Sequence, residues 1–188
     1  MSLNEQELAR ETVFTGKIIK VDVEEVELPN GETSTREIVR HPGAVCCLAI
    51  NSQNQCLLVR QWREPVKKIS LEIPAGKIDA DDDSKLAAMK RELNEETGYK
   101  ADFFEQLISF NTALGFSDEE ITLFYCDSLT NVEAKLAQDE DEFVTKTWVD
   151  LPTAKQLILD GEIFDLKTIY AISYWENMQL RSEQNARK

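Results

Sequence analysis

The chain has 188 residues, of which 42% are hydrophobic, so it is long enough to bury one well-formed core. Its formal net charge of −14 argues against nucleic-acid binding through a basic face. No apolar run approaches the roughly 18 residues of a membrane span, and the polar, acidic N-terminus resembles neither a signal peptide nor a transit peptide. We therefore expect a cytoplasmic protein that binds neither nucleic acid nor membrane.

The four cysteines, at positions 46, 47, 56 and 126, agree with that compartment. Their spacing matches no zinc template, and three of them lie inside apolar, strand-like runs. We predict buried, reduced thiols that pack as small hydrophobic side chains. His41 is the only histidine, which excludes a multi-histidine metal site and makes a Ser–His–Asp triad improbable.

The N-terminal region predicts an antiparallel β-hairpin. Residues 1–10 suggest a frayed lead-in or a short helical turn, and the segment from Thr12 to Val39 is strand-like. Pro29-Asn30-Gly31-Glu32 divides it with a strong turn signal. His41-Pro42-Gly43 then marks a boundary, so we predict a region 1–40 that forms the hairpin and a domain 41–188.

Two details of the hairpin require an explanation. Val21 and Val23 alternate with polar residues in one parity, whereas Val26 alternates in the other, and a β-bulge at Glu24 and Glu25 would restore the facing. An isolated hairpin is at best marginally stable. It must therefore pack either on its own domain or on a second subunit.

The remaining elements predict an α+β fold, with a mixed β-sheet between helices and the antiparallel hairpin in front of it. Strands that do not strictly alternate with helices argue against a doubly wound fold. The predicted strands are 44–50, 56–62, 71–73, 101–111, 121–126 and 143–149. The predicted helices are 84–97, a second that opens at Asp150 and Pro152 and ends at Gly161, and a third over about 166–182.

The helix at 84–97 carries the chemistry. At about 100° per residue its core stripe consists of Leu86, Met89, Leu93 and Thr97. Three carboxylates, which repel one another at helical neighbour spacing, lie at the edge of that stripe: Glu92, Glu95 and Glu96. They form either a solvated acidic face, with an Arg91–Glu95 pair, or a site for a hard divalent cation. The turn Pro74-Ala75-Gly76 would bring a main-chain carbonyl to such a cation.

At these residues the sequence resembles the Nudix hydrolase family. The Nudix box has the pattern G-x5-E-x7-R-E-U-x-E-E-x-G-U, where U is aliphatic or aromatic. Residues 91–99, R-E-L-N-E-E-T-G-Y, match its second half in full. In the first half, Gly76 lies one residue further from Arg91 than the pattern allows, and Asp83 stands where the family has Glu.

The resemblance extends to the bacterial ADP-ribose pyrophosphatases through HPGAV (41–45), LLVRQWR (57–63), LEIPAGKID (71–79) and YAISY (170–174). It implies hydrolysis of ADP-ribose to AMP and ribose 5-phosphate with Mg²⁺, or Mn²⁺ in its place. The implied metal ligands are the Ala75 carbonyl and the carboxylates of Glu92, Glu95 and Glu96, and Arg91 would orient a box carboxylate.

The same resemblance implies further site residues. The presumptive base comes from the loop before the last strand, where we place Glu140 first and Glu142 second, with a merely flexible acidic loop as the alternative. Glu96 is assigned to catalysis as well as to the metal. The substrate contacts would come from Arg63 and Glu72, from Arg36, and from Trp62, which would stack on the substrate unless it packs in the core.

Specificity and assembly are also read from the resemblance. Leu114 replaces a proline typical of the ADP-ribose enzymes. GDP-mannose or UDP-glucose is therefore an alternative substrate, and a non-catalytic nucleotide-binding regulator or a structural protein with a chance acidic helix are further alternatives. In the resembled enzymes the N-terminal strands are exchanged in a dimer and help to hold the adenine, so we predict a homodimer through these strands.

Overall fold

The computed structural model describes residues 3–133, 135–136 and 143–186. The chain forms two compact units. The first contains the N-terminal region up to Ala44 together with Ser109–Ile121, and the second contains Val45–Ile108 and the chain from Thr122 onward. Within the described ranges, no helix has both the length and the apolar character needed to cross a membrane.

Three antiparallel strands form the sheet of the first unit, in the order β1-β2-β3. They are β1 (Gln6–Thr15), β2 (Lys20–Glu27) and β3 (Thr33–Arg40). The expectation of a frayed or helical start is therefore wrong, because the chain from Gln6 onward pairs with β2. The predicted turn is confirmed: the Gly31 N–H donates to the Leu28 carbonyl at 2.8 Å, with Gly31 at a φ of 82°.

The buried face of β2 consists of Asp22, Glu24 and Val26. Because β2 pairs with β3 in unbroken register, the bulge predicted in β2 is absent, and the register shifts lie between β1 and β2 instead. Arg40 offsets the cost of burying these two carboxylates, since its guanidinium donates to Asp22 at 3.1 Å and to Glu24 at 2.5 Å. Ion pairing thus decides which face of the strand is buried.

The strands of the second part of the chain form two sheets. One has the order β10-β5-β6 and the other β7-β4-β9-β8. The strand bounds are β4 (Ala44–Ala49), β5 (Cys56–Arg63), β6 (Lys68–Glu72), β7 (Ala75–Lys77), β8 (Tyr99–Asn111), β9 (Glu120–Asn131) and β10 (Thr145–Val149). This non-sequential order agrees with the predicted α+β class.

Several element ends differ from the predictions. The segment 64–70, which lies between two predicted strands, contains a 3-10 turn (Glu64–Val66) and the start of β6. The expected turn at Pro74-Ala75-Gly76 includes the strand β7, and the Pro74 carbonyl accepts from the Cys47 N–H at 2.9 Å. β9 continues to Asn131, five residues beyond the predicted strand end at 126.

The helices are α1 (Lys85–Thr97), α2 (Leu151–Leu159) and α3 (Leu166–Ala186). Ser84 caps α1 by accepting from the Ala87 N–H, and Gly98 ends it in the left-handed conformation at a φ of 70°. Asp150 caps α2, as predicted, by accepting from the Thr153 N–H at 2.9 Å. Each cap satisfies backbone groups that a helix end leaves without intrahelical partners.

The core of the second unit joins one face of α1 to the sheets. Met89 and Leu93 are fully buried there together with β-strand residues that include Cys47 and Cys126. Leu86, placed on the core stripe by helical spacing, is 37% exposed, so that assignment is wrong. All four cysteines are buried and free, which confirms their predicted packing role.

Candidate functional site

Helix α1 presents its glutamates against the main chain of β7. Glu92 and Glu96 are one turn apart and only 7% and 5% exposed, whereas Glu95 is half-buried. The Ala75 N–H donates to Glu96 Oε2 at 3.0 Å. Two buried carboxylates therefore lie beside the backbone from which the sequence predicted a carbonyl ligand.

Gly76 makes room for the Glu92 carboxylate. A Cβ at position 76 would lie 2.0 Å from Glu92 Cδ and 2.2 and 2.3 Å from its two oxygens. Its backbone is not in the left-handed region, so the glycine serves close approach and not turn geometry. The first residue of the box, Gly76, is thus in direct contact with Glu92, its first helical glutamate.

Arg91 binds two of the helix carboxylates, those of Glu92 and Glu95. Its Nη1 donates to Glu92 at 2.8 Å and to Glu95 at 2.9 Å, and its Nη2 donates to the Lys77 carbonyl at 3.1 Å. Hydrogen bonding to Asp82 is the largest of several effects that together raise the pKa of Arg91. The arginine therefore orients box carboxylates, in agreement with the role expected for it.

Asp82 is the residue of the acidic loop that reaches Arg91. Its carboxylate accepts from Arg91 Nε at 3.1 Å and from Nη2 at 2.8 Å, and the pKa of Asp82 is lowered chiefly by that bond. Asp83, which stands at the family's glutamate position, is exposed. Counting residues back from Arg91 missed Asp82, because the box loop contains one more residue than the pattern and Asp82, not Asp83, bonds to Arg91.

Arg63 and Glu72 form a bidentate pair between the ends of β5 and β6. Arg63 Nε and Nη2 donate to the two Glu72 oxygens at 2.6 and 2.7 Å. Lys167 of α3 also donates to Glu72. Burial alone would raise the pKa of the Glu72 carboxyl, but the hydrogen bond from Arg63 and the charge of Lys167 lower it to about 2. The two substrate-contact candidates therefore pair with each other and with Lys167, a residue that the sequence analysis did not identify.

The other two substrate-contact candidates have separate surroundings. Trp62 is 54% exposed and its Nε1–H donates to Glu64 at 2.7 Å, so it is not a core residue. Arg36 belongs to the first unit, where it pairs with Glu5 at 2.5 Å. It lines a cavity of about 840 Å³ within that unit, together with Ile38, Leu114 and Phe116.

The base candidates Glu140 and Glu142 lie outside the described residues. The chain on either side of them is anchored to the C-terminal turn of α1. The Leu136 N–H donates to Asn94 Oδ1 at 2.8 Å, and Lys146 donates to the Thr97 carbonyl. These two flanks therefore meet the helix that carries the glutamates.

The residues fit a divalent cation by their chemistry. Carboxylate and carbonyl oxygens are the donors that Mg²⁺ prefers, and Gly76 leaves space for one carboxylate against the main chain. Within residues 3–133, 135–136 and 143–186, however, no three His, Cys, Asp or Glu side chains converge closely enough to hold a metal. In this arrangement Arg91 pairs with Glu92 and Glu95, and Glu96 accepts from Ala75.

Comparison with protein-family models identifies the chain. The NUDIX domain matches residues 39–171, and the nucleoside diphosphate sugar hydrolase N-terminal domain matches residues 5–39. The chain belongs to the NUDIX family. The resemblance carried by the R-E-L-N-E-E-T-G-Y segment is thereby confirmed. Nudix hydrolases generally need a divalent metal ion, which agrees with the oxygen-rich donor set of this chain.

Relatives match this Nudix chain over most of its length. The ADP-ribose pyrophosphatase of Bacillus subtilis (strain 168) is 43% identical over 187 residues, which covers 100% of this chain and 99% of the relative. The methanol dehydrogenase activator of Bacillus methanolicus is 46% identical over 90% of this chain and 91% of its own. A solved structure described as an ADP compounds hydrolase superposes with a TM-score of 0.82 at 21% identity, covering 97% of this chain and 98% of its own. The predicted Nudix fold is thus confirmed.

Proposed function

We propose that this Nudix hydrolase cleaves the pyrophosphate bond of ADP-ribose to give AMP and ribose 5-phosphate. The observation that carries this proposal is the contact between Gly76 and Glu92, which places a box carboxylate against the main chain of β7. The 43% identity to the B. subtilis ADP-ribose pyrophosphatase over the full chain supports the substrate.

The metal is proposed to be Mg²⁺, with Mn²⁺ as a substitute. Ala75, through its carbonyl, and Glu92, Glu95 and Glu96 would hold it. When bound, it would polarise the phosphoryl oxygens and lower the pKa of the attacking water. Arg91 keeps Glu92 and Glu95 oriented, and Asp82 in turn fixes the guanidinium of Arg91.

The remaining roles concern the substrate and the attacking water. Arg63, held by Glu72, offers a positive charge to the pyrophosphate, and exposed Trp62 offers a face for stacking. Glu140, or Glu142 in its place, would accept a proton from water, and both remain predictions because they lie outside the described residues. Arg36 would contact the nucleotide from the cavity of the N-terminal unit.

We also propose a cytoplasmic homodimer that pairs through its N-terminal strands. The dimer is supported by strand β1, whose residues are all exposed although they include Leu8, Val13 and Phe14. The compartment is supported by four buried, free cysteines, since thiols stay reduced in the cytoplasm.

A panel of nucleoside diphosphate sugars tests the substrate. ADP-ribose, GDP-mannose and UDP-glucose would each be incubated with the protein and Mg²⁺, and the released phosphomonoester measured. We expect the highest kcat/KM for ADP-ribose. A higher value for GDP-mannose or UDP-glucose would move the assignment to that nucleotide sugar, and no release from any of them would contradict hydrolysis.

A second candidate function is activation of a dehydrogenase. It is favoured by the 46% identity to the methanol dehydrogenase activator of B. methanolicus. Adding the protein to a methanol dehydrogenase assay tests this, with the Glu92→Gln variant in parallel. Activation by the wild type alone would tie the effect to hydrolysis, whereas equal activation by both proteins would favour a non-catalytic regulator.

A further inference from the structure

A largely buried lysine at the start of α3, Lys167, belongs to the charge network around Glu72. The Lys167 side chain is 12% exposed, and its ammonium donates to the Glu72 carboxylate, which is 2% exposed. It also donates to Asp165 Oδ1 at 2.9 Å. Charged groups at this depth lose most of their hydration, and this costs free energy unless the charges pair closely with one another.

Arg63 is the most exposed member of this network. Its side chain is 41% exposed, against 20% for Asp165 and 12% for Lys167. Its Nε and Nη2 are engaged by Glu72. Toward the other described residues the structure gives no hydrogen bond from Nη1, so this nitrogen is the part of the fork that can face an anion.

The backbone fixes Lys167 relative to Glu72. Ile73, which follows Glu72, donates its N–H to Thr168 Oγ1 at 3.0 Å, and this threonine is fully buried. The Leu71 N–H donates to the Glu162 carbonyl at 3.2 Å. The segment from Glu162 to Thr168 therefore hydrogen-bonds to the residues on both sides of Glu72, and these bonds fix Lys167 beside its carboxylate.

We propose that Lys167 is a positioning residue that acts on the pyrophosphate through Glu72 and Arg63. Because Lys167 neutralises part of the negative charge of Glu72, the charge of Arg63 is less fully compensated by that carboxylate. Arg63 therefore stays attractive to a phosphate while Glu72 holds its orientation. This inference rests on the proposed function, since the pyrophosphate is the group that Arg63 would meet.

Steady-state kinetics with ADP-ribose and Mg²⁺ test the proposal through the separation of KM from kcat. For Lys167→Met we expect KM to rise about tenfold with kcat within about threefold, because ground-state attraction is lost while the glutamates are untouched. Lys167→Arg, which keeps the cation, should recover most of the lost affinity. An unchanged KM in Lys167→Met, or no recovery in Lys167→Arg, would overturn the proposal.

Lys155→Met is the matched control. Lys155 pairs with Glu176 between α2 and α3, and this ion pair has side-chain exposures of 50% and 37%. The Lys155→Met substitution removes a lysine from an ion pair between two helices and leaves Glu72 and Arg63 unchanged, so KM should stay at the wild-type value. An equal rise of KM in both variants would show that loss of any such lysine suffices, which contradicts a specific role for Lys167.

A binding measurement without metal separates this proposal from the proposed function. Inorganic pyrophosphate would be titrated by calorimetry in the presence of a chelator into the wild type, Lys167→Met and, should that variant not fold, Lys167→Gln. We expect about tenfold weaker binding by the variant. Equal affinity, or no binding by the wild type, overturns the role of Lys167. Absence of ADP-ribose hydrolysis by the wild type would overturn only the proposed substrate, because the pyrophosphate titration would still test the role of Lys167.

Discussion

Gly76 and Glu92 are in direct contact, so that a methyl group on Gly76 would lie 2.0 Å from the Glu92 carboxyl carbon. The glycine opens the loop half of the box and the glutamate belongs to its helical half. The space denied to a side chain at position 76 is therefore the space that a box carboxylate occupies.

Gly76→Ala should abolish most of the activity while leaving the protein folded. The clash falls on the end of a flexible side chain, so Glu92 can swing away at little cost in stability, but its carboxylate then leaves the site. We expect kcat/KM to fall about a hundredfold, with a small change in Tm. Phosphomonoester release and calorimetry would measure the two effects.

Gly115→Ala is the stability control for that prediction. A Cβ at Gly115 would meet no atom within 4 Å, and its backbone is outside the left-handed region. Its Tm should therefore equal that of the wild type. A Gly76→Ala variant with wild-type kcat/KM would contradict the role given to the Gly76–Glu92 contact.

Glu92→Gln and Glu96→Gln should each lower kcat by about two to three orders of magnitude, because a metal ion supplies several kcal/mol of transition-state stabilisation. Circular dichroism should show an intact fold. Calorimetric titration with Mg²⁺ gives a readout besides activity, and we expect weaker binding by both variants. Glu162→Gln removes an exposed carboxylate 3.8 Å from Arg60 and should behave as the wild type. Wild-type turnover by either box variant would refute the assignment of these ligands.

The helical half of the site could be predicted from sequence because its signals are local. Spacing along α1 places Glu92 and Glu96 one turn apart, and the Ser84 cap and Gly98 stop lie within the same segment. The loop half could not, since one inserted residue decides whether Asp82 or Asp83 meets Arg91. Pattern matching counts residues, whereas the loop is shaped by its hydrogen bonds.

Contacts between residues far apart in the sequence explain the other features that the sequence did not predict. Lys167 meets Glu72 across 95 positions, and no periodicity in either segment indicates that pairing. The bulge predicted in β2 is absent, because the hydrophobic alternation that suggested it assumes that charged side chains face water. Asp22 and Glu24 are buried because Arg40, from the neighbouring strand, neutralises them.

Glu72 should make stability depend on pH in the acid range. Its pKa falls from an ordinary 4.5 to about 2 in the folded protein, where burial acting alone would raise it and Arg63 and Lys167 prevail. A carboxyl with a depressed folded pKa contributes stability above its unfolded pKa and loses it as the pH falls toward its folded pKa. The window therefore runs from pH 4.5 down to about 2, and the shift corresponds to about 3 kcal/mol.

Urea unfolding of the wild type and Glu72→Gln at two pH values isolates this contribution. The wild type should be more stable than the variant at about pH 6, and the difference should shrink by about 2.5 kcal/mol at about pH 2.5. Glu176→Gln, which breaks an exposed ion pair with Lys155, should differ little from the wild type at either pH. A wild-type advantage over Glu72→Gln that stays constant with pH would contradict the depressed pKa.

The N-terminal strands should hold two copies of the chain together. Strand β1 lies at the edge of its sheet, and Leu8 and Val13 are 46% and 54% exposed on it. An edge strand with exposed apolar side chains is a template for pairing with another chain. Analytical ultracentrifugation at micromolar concentration should therefore give twice the 21.5 kDa mass of one chain.

Leu8→Glu and Val13→Glu test whether β1 is the contact, because burying a charge in an apolar interface opposes association. Both variants should sediment as monomers. Leu159→Glu is the control, since Leu159 is 80% exposed on α2 and its substitution should leave the dimer intact. A monomeric wild type would refute the dimer, whereas a dimer that survives both β1 substitutions would place the interface elsewhere on the surface.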